Sequence, residues 1–210
     1  MQKSCVIKIE IKPMLESHLC DVVTVHSKAF NGFFLTLMGE KFLRHYYKSV
    51  IDYKDSIALI AVDEKNQVTG LAVGFKNPNK FYNHFNKYWI RMLPAAAIGF
   101  LRHPSLVFMI LRNACRVRES NLKTTEESVE LASICTNITN QNIGSTLLKY
   151  FISSAEQTGA NEVTLTTDEN ENTAARSFYE RHGFKEAGRK RRGRRWLVCY
   201  SLCLNNCITH

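Results

Sequence analysis

The most constraining feature of this chain is a strand that runs through a short polar loop directly into a helix, over residues 129–148. The strand reads VELASIC, the loop reads TNITNQN, and the helix begins at Ile143-Gly144. Such a unit aims several free backbone N–H groups and the positive end of the helix dipole at one point. That point suits a phosphate or a pyrophosphate.

Two residue types in this loop fit an anion site. Gly144 has no side chain, so a ligand can approach its backbone closely. Asn140 and Asn142 flank the bend, and asparagine tolerates a positive φ better than most other non-glycine residues. A loop rich in Asn and Gly is also an ordinary connection between a strand and a helix, so this unit alone leaves the function open.

Hydrophobic periodicity predicts further strands and helices on both sides of this unit. The predicted strands span residues 5–11, 56–62, 68–75, 128–135, 162–167, 184–189 and 196–204. The predicted helices span 14–30, 35–51, 144–158 and 173–182, and a further helical segment covers about 79–119. A turn at Asn31-Gly32 and a hairpin connection at 63–66 separate neighbouring elements. This order predicts a mixed α/β fold around one central sheet.

A second pattern follows the fifth predicted strand. It reads Asn172-x-x-Ala175-x-x-Phe178-Tyr179-x-x-x-Gly183-Phe184. On these residues the chain resembles the GNAT family, the acetyl-CoA-dependent N-acyltransferases, and every named position of the family's pattern is matched. The resemblance covers about 128–204 well. It implies the GNAT acyl-CoA N-acyltransferase fold, here with a helical insertion between strands 3 and 4.

The phosphate loop departs from the family's usual form, which is Arg/Gln-x-x-Gly-x-Gly/Ala. One alignment places Thr139 at the Arg/Gln position, Asn142 at the first glycine and Gly144 at the second. A rival alignment places Gln141 and Gly144 at the first two named positions and Thr146 at the last. We prefer the first, because the spacing from strand to helix then matches, and so does the apolar pair that follows. Since the loop grips phosphate through backbone N–H groups, changed side chains need not abolish binding.

The resemblance implies a role for each position of the donor site. The backbone of Ile134, Cys135 and Thr136 would hydrogen-bond the pantetheine arm of CoA. The pyrophosphate cradle would consist of Thr139, Asn140, Gln141, Asn142, Ile143, Gly144 and Ser145. Asn172 and Ala175 would line the CoA channel. Acetyl-CoA is therefore the expected co-substrate, and no metal is expected.

Few side chains are needed for the chemistry that the resemblance implies. Tyr179 would donate a proton to the leaving thiolate, and Glu130 would act as the general base. Tyr179 could instead be a core aromatic, and Glu130 a solvated carboxylate at a strand edge. His84 and His103, in the insertion, are alternative bases or surface histidines. Cys135 is disfavoured as a nucleophile, because acyl transfer to an amine needs no covalent enzyme intermediate.

Two segments lie outside these motifs. The insertion, about 78–121, is a helical cap, an acceptor pocket or lid, or a surface that rests on a membrane interface. Residues 189–195 read RKRRGRR and carry six of the formal net charge of +9. This basic run is a solvated hairpin tip, or it contacts an anionic acceptor or nucleic acid. No aromatic residue interrupts the run, which disfavours binding of single-stranded nucleic acid.

The composition bounds the cellular context. The seven cysteines are odd in number and include no CxxC pair, and the N-terminus has no apolar core like that of a signal peptide. Residues 88–111 are apolar but interrupted by Arg, His and Pro, so they do not read as a membrane-spanning helix. We expect buried reduced thiols in a cytoplasmic protein.

Together these features predict a single domain over 1–210, with the insertion at about 78–121. The expected activity is transfer of an acetyl group from acetyl-CoA to the primary amine of a small acceptor, with an amino sugar favoured. The alternatives are acetylation of a protein N-terminus or lysine, and a non-catalytic member that binds nucleic acid or membrane through 189–195. Nucleic acid is not an expected partner of the enzyme. The sequence leaves two properties undecided: peripheral membrane contact, and the oligomeric state, monomer or homodimer.

Overall fold

A computed structural model describes residues 8–78, 80–81, 85, 127–137, 142–170, 172–192 and 195–204. Seven strands lie in this part of the chain: β1 Glu10–Pro13, β2 Ser56–Val62, β3 Val68–Lys76, β4 Ser128–Thr136, β5 Glu162–Asp168, β6 Lys185–Arg192 and β7 Arg195–Cys203. The α-helices are α1 Leu19–Ala29, α2 Phe34–Leu37, α3 Glu40–Asp52, α4 Ile143–Gln157 and α5 Thr173–Arg181. A 3₁₀ turn, Glu16–His18, leads into α1.

The seven strands form one sheet in the order β1-β2-β3-β4-β5-β7-β6. Neighbouring strands pair antiparallel except β4 and β5, which are parallel. This parallel pair is joined through α4, the crossover that parallel strands require. The sheet confirms the predicted mixed α/β fold.

Helices cover both faces of the sheet. α4 packs on one face, where Leu147, Leu148 and Phe151 are fully buried in a core with Val163 and Tyr200. We call this the α4 face; α5 adds partly buried residues to it. α1 and α3 pack on the other side, the α3 face. α1, α3 and α4 each bury an apolar stripe at the spacing that the sequence predicted.

Two predicted helices and one predicted strand needed corrected boundaries. The helix predicted over 35–51 is split in two, because Gly39 adopts φ 92°, in the left-handed region where a helix cannot continue. The helix predicted over 14–30 begins as a 3₁₀ turn, and Leu15, near its predicted start, is 56% exposed. The predicted first strand begins at Glu10, within the described residues, and extends to Pro13.

One expectation about burial was also wrong in part, that of buried thiols. Phe178 of the predicted motif is partly buried, at the border of the α4 face. Four cysteines lie in the described residues and all are free thiols, but only Cys199 is buried; Cys20 and Cys203 are exposed and Cys135 is half-buried. In the described ranges, no helix is both long and apolar enough to cross a membrane.

Most of the insertion, including His84 and His103, lies outside the described residues. Its beginning packs on the α3 face. The Phe81 ring is fully buried and stacks on Phe75, with centroids 3.6 Å apart and planes 8° apart. Tyr46 of α3 contacts Phe81 and Phe85 edge-on. The insertion therefore starts beside the carboxyl end of β3.

Candidate functional site

The central parallel strands separate along their length. β4 pairs with β5 only over Ser128–Glu130 and Glu162–Thr164. Beyond those residues β4 continues beside β3 as far as Thr136, and β5 continues beside β7 as far as Asp168. The carboxyl halves of the two strands therefore open a gap, which we call the β4–β5 cleft. Its walls carry backbone N–H and C=O groups that the β4–β5 ladder leaves for a ligand.

A β-bulge accompanies this separation. Leu131 lies opposite Gly74 and Ser133 lies opposite Val73, so Ala132 is an extra residue in β4. A bulge bends its strand and increases the local twist, which turns β4 away from β5. Gly74 allows β4 and the Phe151 ring to approach β3 closely, because an added Cβ would lie 2.2 Å from the Glu130 carbonyl oxygen and 2.4 Å from that ring.

The sequence contains a sign of this bulge that the strand prediction missed. Buried apolar positions fall at 129 and 131, and the next apolar residue packed on the α4 face is Ile134. The period of two therefore shifts parity within β4. Such a shift marks a bulge, because one additional residue turns every later side chain to the opposite face.

The N-terminus of α4 lies at the same edge of the sheet as the open end of this cleft, since α4 follows β4. Asn142, its N-cap, adopts φ 56°, in the left-handed region. The first intrahelical bond runs from the Thr146 N–H to the Asn142 carbonyl, at 2.9 Å. The preceding N–H groups of the first turn have no intrahelical acceptor. At Gly144 an added Cβ would meet only the Phe178 ring, at 3.7 Å, among the described residues, which leave its backbone accessible.

Part of the predicted pyrophosphate cradle can be placed. Asn142, Ile143, Gly144 and Ser145 form the N-cap and first turn of α4. Thr139, Asn140 and Gln141 lie outside the described residues. The left-handed backbone of Asn142 fits the alignment in which it occupies a glycine position, because Gly and Asn are the residues that most readily adopt this conformation.

Tyr179 projects from α5 toward the cleft. Its ring is half-buried and contacts Phe184 and Tyr200, with centroids 5.8 and 6.3 Å apart. Burial, with a smaller contribution from Cys135, raises the pKa of the Tyr179 hydroxyl to about 12. The hydroxyl therefore keeps its proton at neutral pH and is able to donate it.

Cys135 lies on β4 between the two helical layers. Its charge would raise the pKa of Tyr179 on one side and of Tyr47, on α3, on the other. Burial raises the pKa of the Cys135 thiol itself to about 12. A nucleophilic cysteine needs a lowered pKa, so this environment argues against a covalent role.

Glu130 lies where β4 and β5 part. β4 is an interior strand of the sheet and Glu130 is half-buried, so its carboxylate does not lie on an edge strand. After burial, the Glu130 charge is the second cause that raises the pKa of Tyr46 on α3. Its carboxylate therefore lies toward the α3 face, where Phe75, its ladder partner, meets the start of the insertion.

The remaining predicted donor-site residues lie near the carboxyl ends of β4 and β5. Asn172 precedes α5, and its Nδ2 donates to the Thr167 hydroxyl of β5 at 2.9 Å. Ala175 is half-buried in the first turn of α5. Ile134 and Thr136 belong to the part of β4 that has left β5. In the described ranges no group of three or more His, Cys, Asp or Glu side chains is arranged to hold a metal ion.

One buried polar pair near this site escaped the sequence analysis. His26 of α1 is 2% exposed, and its Nδ1 lies 2.7 Å from the Tyr47 hydroxyl. Burial lowers the pKa of His26 to about 4, so its ring is neutral at pH 7. Among the residues that the structure describes, no group forms a hydrogen bond with its Nε2. Helical spacing placed Tyr47 in the core but could not reveal which polar group would satisfy its hydroxyl.

Comparisons with known proteins agree with this geometry. Residues 120–184 match the model of the acetyltransferase (GNAT) family. That stretch contains β4, the N-terminus of α4 and α5, the elements around the cleft. It confirms the predicted enzyme class, an acyltransferase that uses acetyl-CoA as co-substrate. A search of curated protein sequences found no match for this chain.

Solved structures share the fold at low sequence identity. One is the ribosomal-protein-alanine N-acetyltransferase from Brucella melitensis, with 18% identity and a TM-score of 0.61, covering 93% of this chain and 99% of that one. Another is the ribosomal-protein-S18-alanine N-acetyltransferase from Escherichia coli, with 14% identity and a TM-score of 0.59, covering 93% of this chain and 94% of that one. A third is PaiA N-acetyltransferase from Thermoplasma acidophilum, in complex with coenzyme A, with 15% identity and a TM-score of 0.57, covering 91% of this chain and 98% of that one.

Proposed function

We propose that this chain, which matches the acetyltransferase (GNAT) family over residues 120–184 and shares the fold of solved acetyltransferases, transfers an acetyl group from acetyl-CoA to the primary amine of a small acceptor. The observation that carries the proposal is the cleft between β4 and β5, with the first turn of α4 at its open end and Tyr179 beside it. Backbone N–H groups at that helix N-terminus suit the pyrophosphate of CoA.

The donor occupies the cleft from the side of α4 and α5. The pyrophosphate lies against Asn142, Ile143, Gly144 and Ser145, and the pantetheine arm follows the free edge of β4 along Ile134, Cys135 and Thr136. Asn172 and Ala175 border the channel from α5. The rest of the loop, residues 139–141, would complete the cradle.

The acceptor amine reaches the thioester from the α3 face. Glu130, which lies toward that face, takes a proton from the amine as its nitrogen attacks the thioester carbon. A backbone N–H of β4 past Glu130 stabilises the oxyanion that develops on the carbonyl. The C–N bond forms, the C–S bond breaks, and Tyr179 gives its proton to the departing CoA thiolate. Because the base and the acid lie on opposite sides of the sheet, the amine can attack from one side while the thiolate leaves on the other. This arrangement suits a transfer without a covalent enzyme intermediate.

A thermal-shift measurement with acetyl-CoA tests the donor half of the proposal. Saturating acetyl-CoA is expected to raise the melting temperature, because a ligand that binds only the native state stabilises it. Release of free CoA thiol across a panel of small amines, amino sugars included, then tests transfer. No melting shift at saturating acetyl-CoA would remove the proposal and favour a non-catalytic role.

The Tyr179→Phe variant tests the proton donor. Loss of a general acid typically slows turnover by about 10²–10⁴-fold, while acetyl-CoA binding is expected to stay within about twofold of the wild type. Tyr150→Phe is the matched control, because Tyr150 lies on the outer side of α4 and is 54% exposed. Equal turnover of wild type and Tyr179→Phe would take Tyr179 out of the mechanism.

We propose a small amine as the acceptor, and among small amines we favour an amino sugar. The two ribosomal-protein acetyltransferases share only the fold, at 14% and 18% identity, so their acceptors do not carry over. We further propose a single domain in which the insertion at 78–121 borders the acceptor, because Phe81 stacks on Phe75, the ladder partner of Glu130. Reduced cysteines and the use of acetyl-CoA support a cytoplasmic location.

A further inference from the structure

α5, the helix that carries Tyr179, has little apolar packing of its own. None of its nine residues is fully buried, whereas α4 buries five of its fifteen. Phe178 and Tyr179 only reach the border of the core on the α4 face. A helix with few buried apolar contacts is held less firmly than one with many, so polar bonds between α5 and the sheet matter more for its position.

Tyr200 of β7 makes two such bonds from the sheet. Its ring is 1% exposed and lies in the core on the α4 face. Arg176 Nε donates to the Tyr200 hydroxyl at 3.2 Å, and that hydroxyl donates to the Glu180 carboxylate at 2.7 Å. Because a guanidinium only donates and a carboxylate only accepts, both bonds have a fixed direction. One hydroxyl on a buried ring therefore joins β7 to two side chains of α5.

These bonds hold the turn of α5 that carries the reactive hydroxyl. Arg176 and Glu180 are four residues apart, so they lie on one face of the helix, and Tyr179 directly precedes Glu180. The Tyr179 and Tyr200 rings are in contact, with centroids 6.3 Å apart. Arg176 also donates from Nη1 to the Glu169 carbonyl at 3.2 Å, just beyond the end of β5.

A small rotation of α5 would displace the Tyr179 hydroxyl. Side chains extend a helix to a radius of about 5–6 Å, so a rotation of about 10° moves their ends by about 1 Å. A displacement of about 1 Å can slow an enzymatic step by about 10²-fold. The Tyr200 hydroxyl cannot replace the acid, because its own hydrogen is engaged by Glu180. Its effect on the transfer must therefore pass through the position of Tyr179.

We infer that Tyr200 is a positioning residue for acetyl transfer: by bonding Arg176 and Glu180, its hydroxyl fixes the rotation of α5 and places the Tyr179 hydroxyl at the thioester sulfur. This inference rests on the proposed function, in which Tyr179 gives its proton to the departing thiolate as the C–S bond breaks. The Tyr200 proton stays on its own oxygen throughout. An acid held in one orientation needs no reorganisation when the thiolate forms.

The Tyr200→Phe variant removes this hydroxyl and keeps the ring that fills the core. Turnover is measured by release of CoA thiol, with glucosamine or whichever amine of the panel reacts fastest. We expect kcat to fall about tenfold, less than a displacement of about 1 Å can cause, because the bond from Arg176 to Glu169 remains. KM for acetyl-CoA should stay within about twofold of the wild type, since Tyr200 lies outside the proposed donor site.

A double-mutant cycle with Tyr179→Phe separates positioning from a general structural role. The wild type, each single variant and the double variant are compared. If the Tyr200 hydroxyl acts through Tyr179, Tyr200→Phe costs about tenfold in the wild-type background and nothing further once the Tyr179 hydroxyl is absent. A general loosening of the fold would lower kcat by the same factor in both backgrounds.

Ser201→Ala is the matched control on the same strand. Ser201 follows Tyr200, and its hydroxyl also donates to a carboxylate, that of Glu162, at 2.5 Å. Because successive side chains of a strand point to opposite faces, Ser201 points away from the face on which α5 packs. Removing its hydroxyl should leave kcat at the wild-type value, and should leave the slower kcat of Tyr179→Phe unchanged as well.

A second pair of variants covers the case in which Tyr200→Phe does not fold. Glu180 is exposed, so its replacement disturbs the core little. Glu180→Gln keeps an oxygen that accepts the Tyr200 hydrogen and should keep kcat near the wild-type value. Glu180→Ala removes that acceptor and should lower kcat several fold. Equal kcat for the Gln and Ala variants overturns the positioning role.

The remaining outcomes distinguish this role from the proposed function. An unchanged kcat in Tyr200→Phe, the same loss in both Tyr179 backgrounds, or a manyfold rise in KM for acetyl-CoA overturns the positioning role. In those cases slow turnover of Tyr179→Phe leaves the proposed function intact. Equal turnover of wild type and Tyr179→Phe removes the proposed acid, and transfer to no amine removes the proposed function; either result removes the role of Tyr200 with it.

Discussion

Acid should destabilise this protein through one buried side chain, His26. The ring is 2% exposed, and burial lowers its pKa from 6.5 to about 4. In the unfolded chain it titrates near its ordinary value, so below pH 6.5 the unfolded state binds a proton that the folded state refuses. The free energy of unfolding therefore falls from about pH 6.5 downward and levels off near pH 4.

The size of this effect follows from the shift. Because the pKa of His26 is about 2.5 lower in the folded state, the free energy of unfolding falls by about 3 kcal/mol once the pH is below both pKa values. At pH 5 it has fallen by about 2 kcal/mol. Above pH 7 the ring is neutral in both states and contributes no pH dependence. Because single domains are stable by only about 5–15 kcal/mol, a loss of this size is readily measured.

Urea unfolding at pH 7.5 and pH 5.0 provides the assay, with wild type and His26→Gln compared at each pH. All other titrating groups are common to both proteins, so the difference between their pH slopes isolates His26. The exposed His45, on α3, supplies the control His45→Gln, which should keep the wild-type slope. If wild type and His26→Gln lose the same stability between the two pH values, the burial argument is refuted.

Three further predictions concern the cleft. Gly74→Ala should lower the free energy of unfolding by about 1–3 kcal/mol in urea unfolding, since its Cβ would overlap the Phe151 ring and the Glu130 carbonyl. Asn142→Ala should weaken acetyl-CoA binding, measured by isothermal calorimetry, because the left-handed φ of 56° costs alanine about 1 kcal/mol. Asn142→Gly should bind acetyl-CoA as the wild type does, because glycine adopts this φ without that cost. Glu130→Gln should lower kcat by about 10²-fold or more and leave the calorimetric affinity for acetyl-CoA unchanged; an unchanged kcat would exclude Glu130 as the base.

The polar network around α5 shows how such a site is held in position. Arg176 Nε donates to the Tyr200 hydroxyl at 3.2 Å, and that hydroxyl donates to the Glu180 carboxylate at 2.7 Å. Arg176 also donates to the Glu169 carbonyl at 3.2 Å. These bonds join α5, β7 and the end of β5 around Tyr179. Networks of this kind restrict the rotation of the helix that carries the reactive side chain.

Local pattern was sufficient for the elements themselves. The predicted strand over 56–62 and the helix over 144–158 agree with β2 and α4 within one residue, because alternation and helical spacing depend only on neighbouring side chains. The turn chemistry was equally readable: Gly32 and Asn66 both adopt a positive φ. The motif Asn172–Phe184 identified the family, because its residues are contiguous along the chain.

The sequence by itself determined the elements, their order and the family to which the residues around 120–184 are matched. The tertiary structure alone decided that β4 leaves β5 after Glu130, that Cys135 lies between Tyr47 and Tyr179, and that His26 satisfies Tyr47. It also decided that Leu197, near the start of β7, lies beside Asp168, the last residue of β5. The physical reason is that each of these facts joins residues far apart in the chain, and strand pairing and burial, which bring them together, are set by packing across the whole sheet.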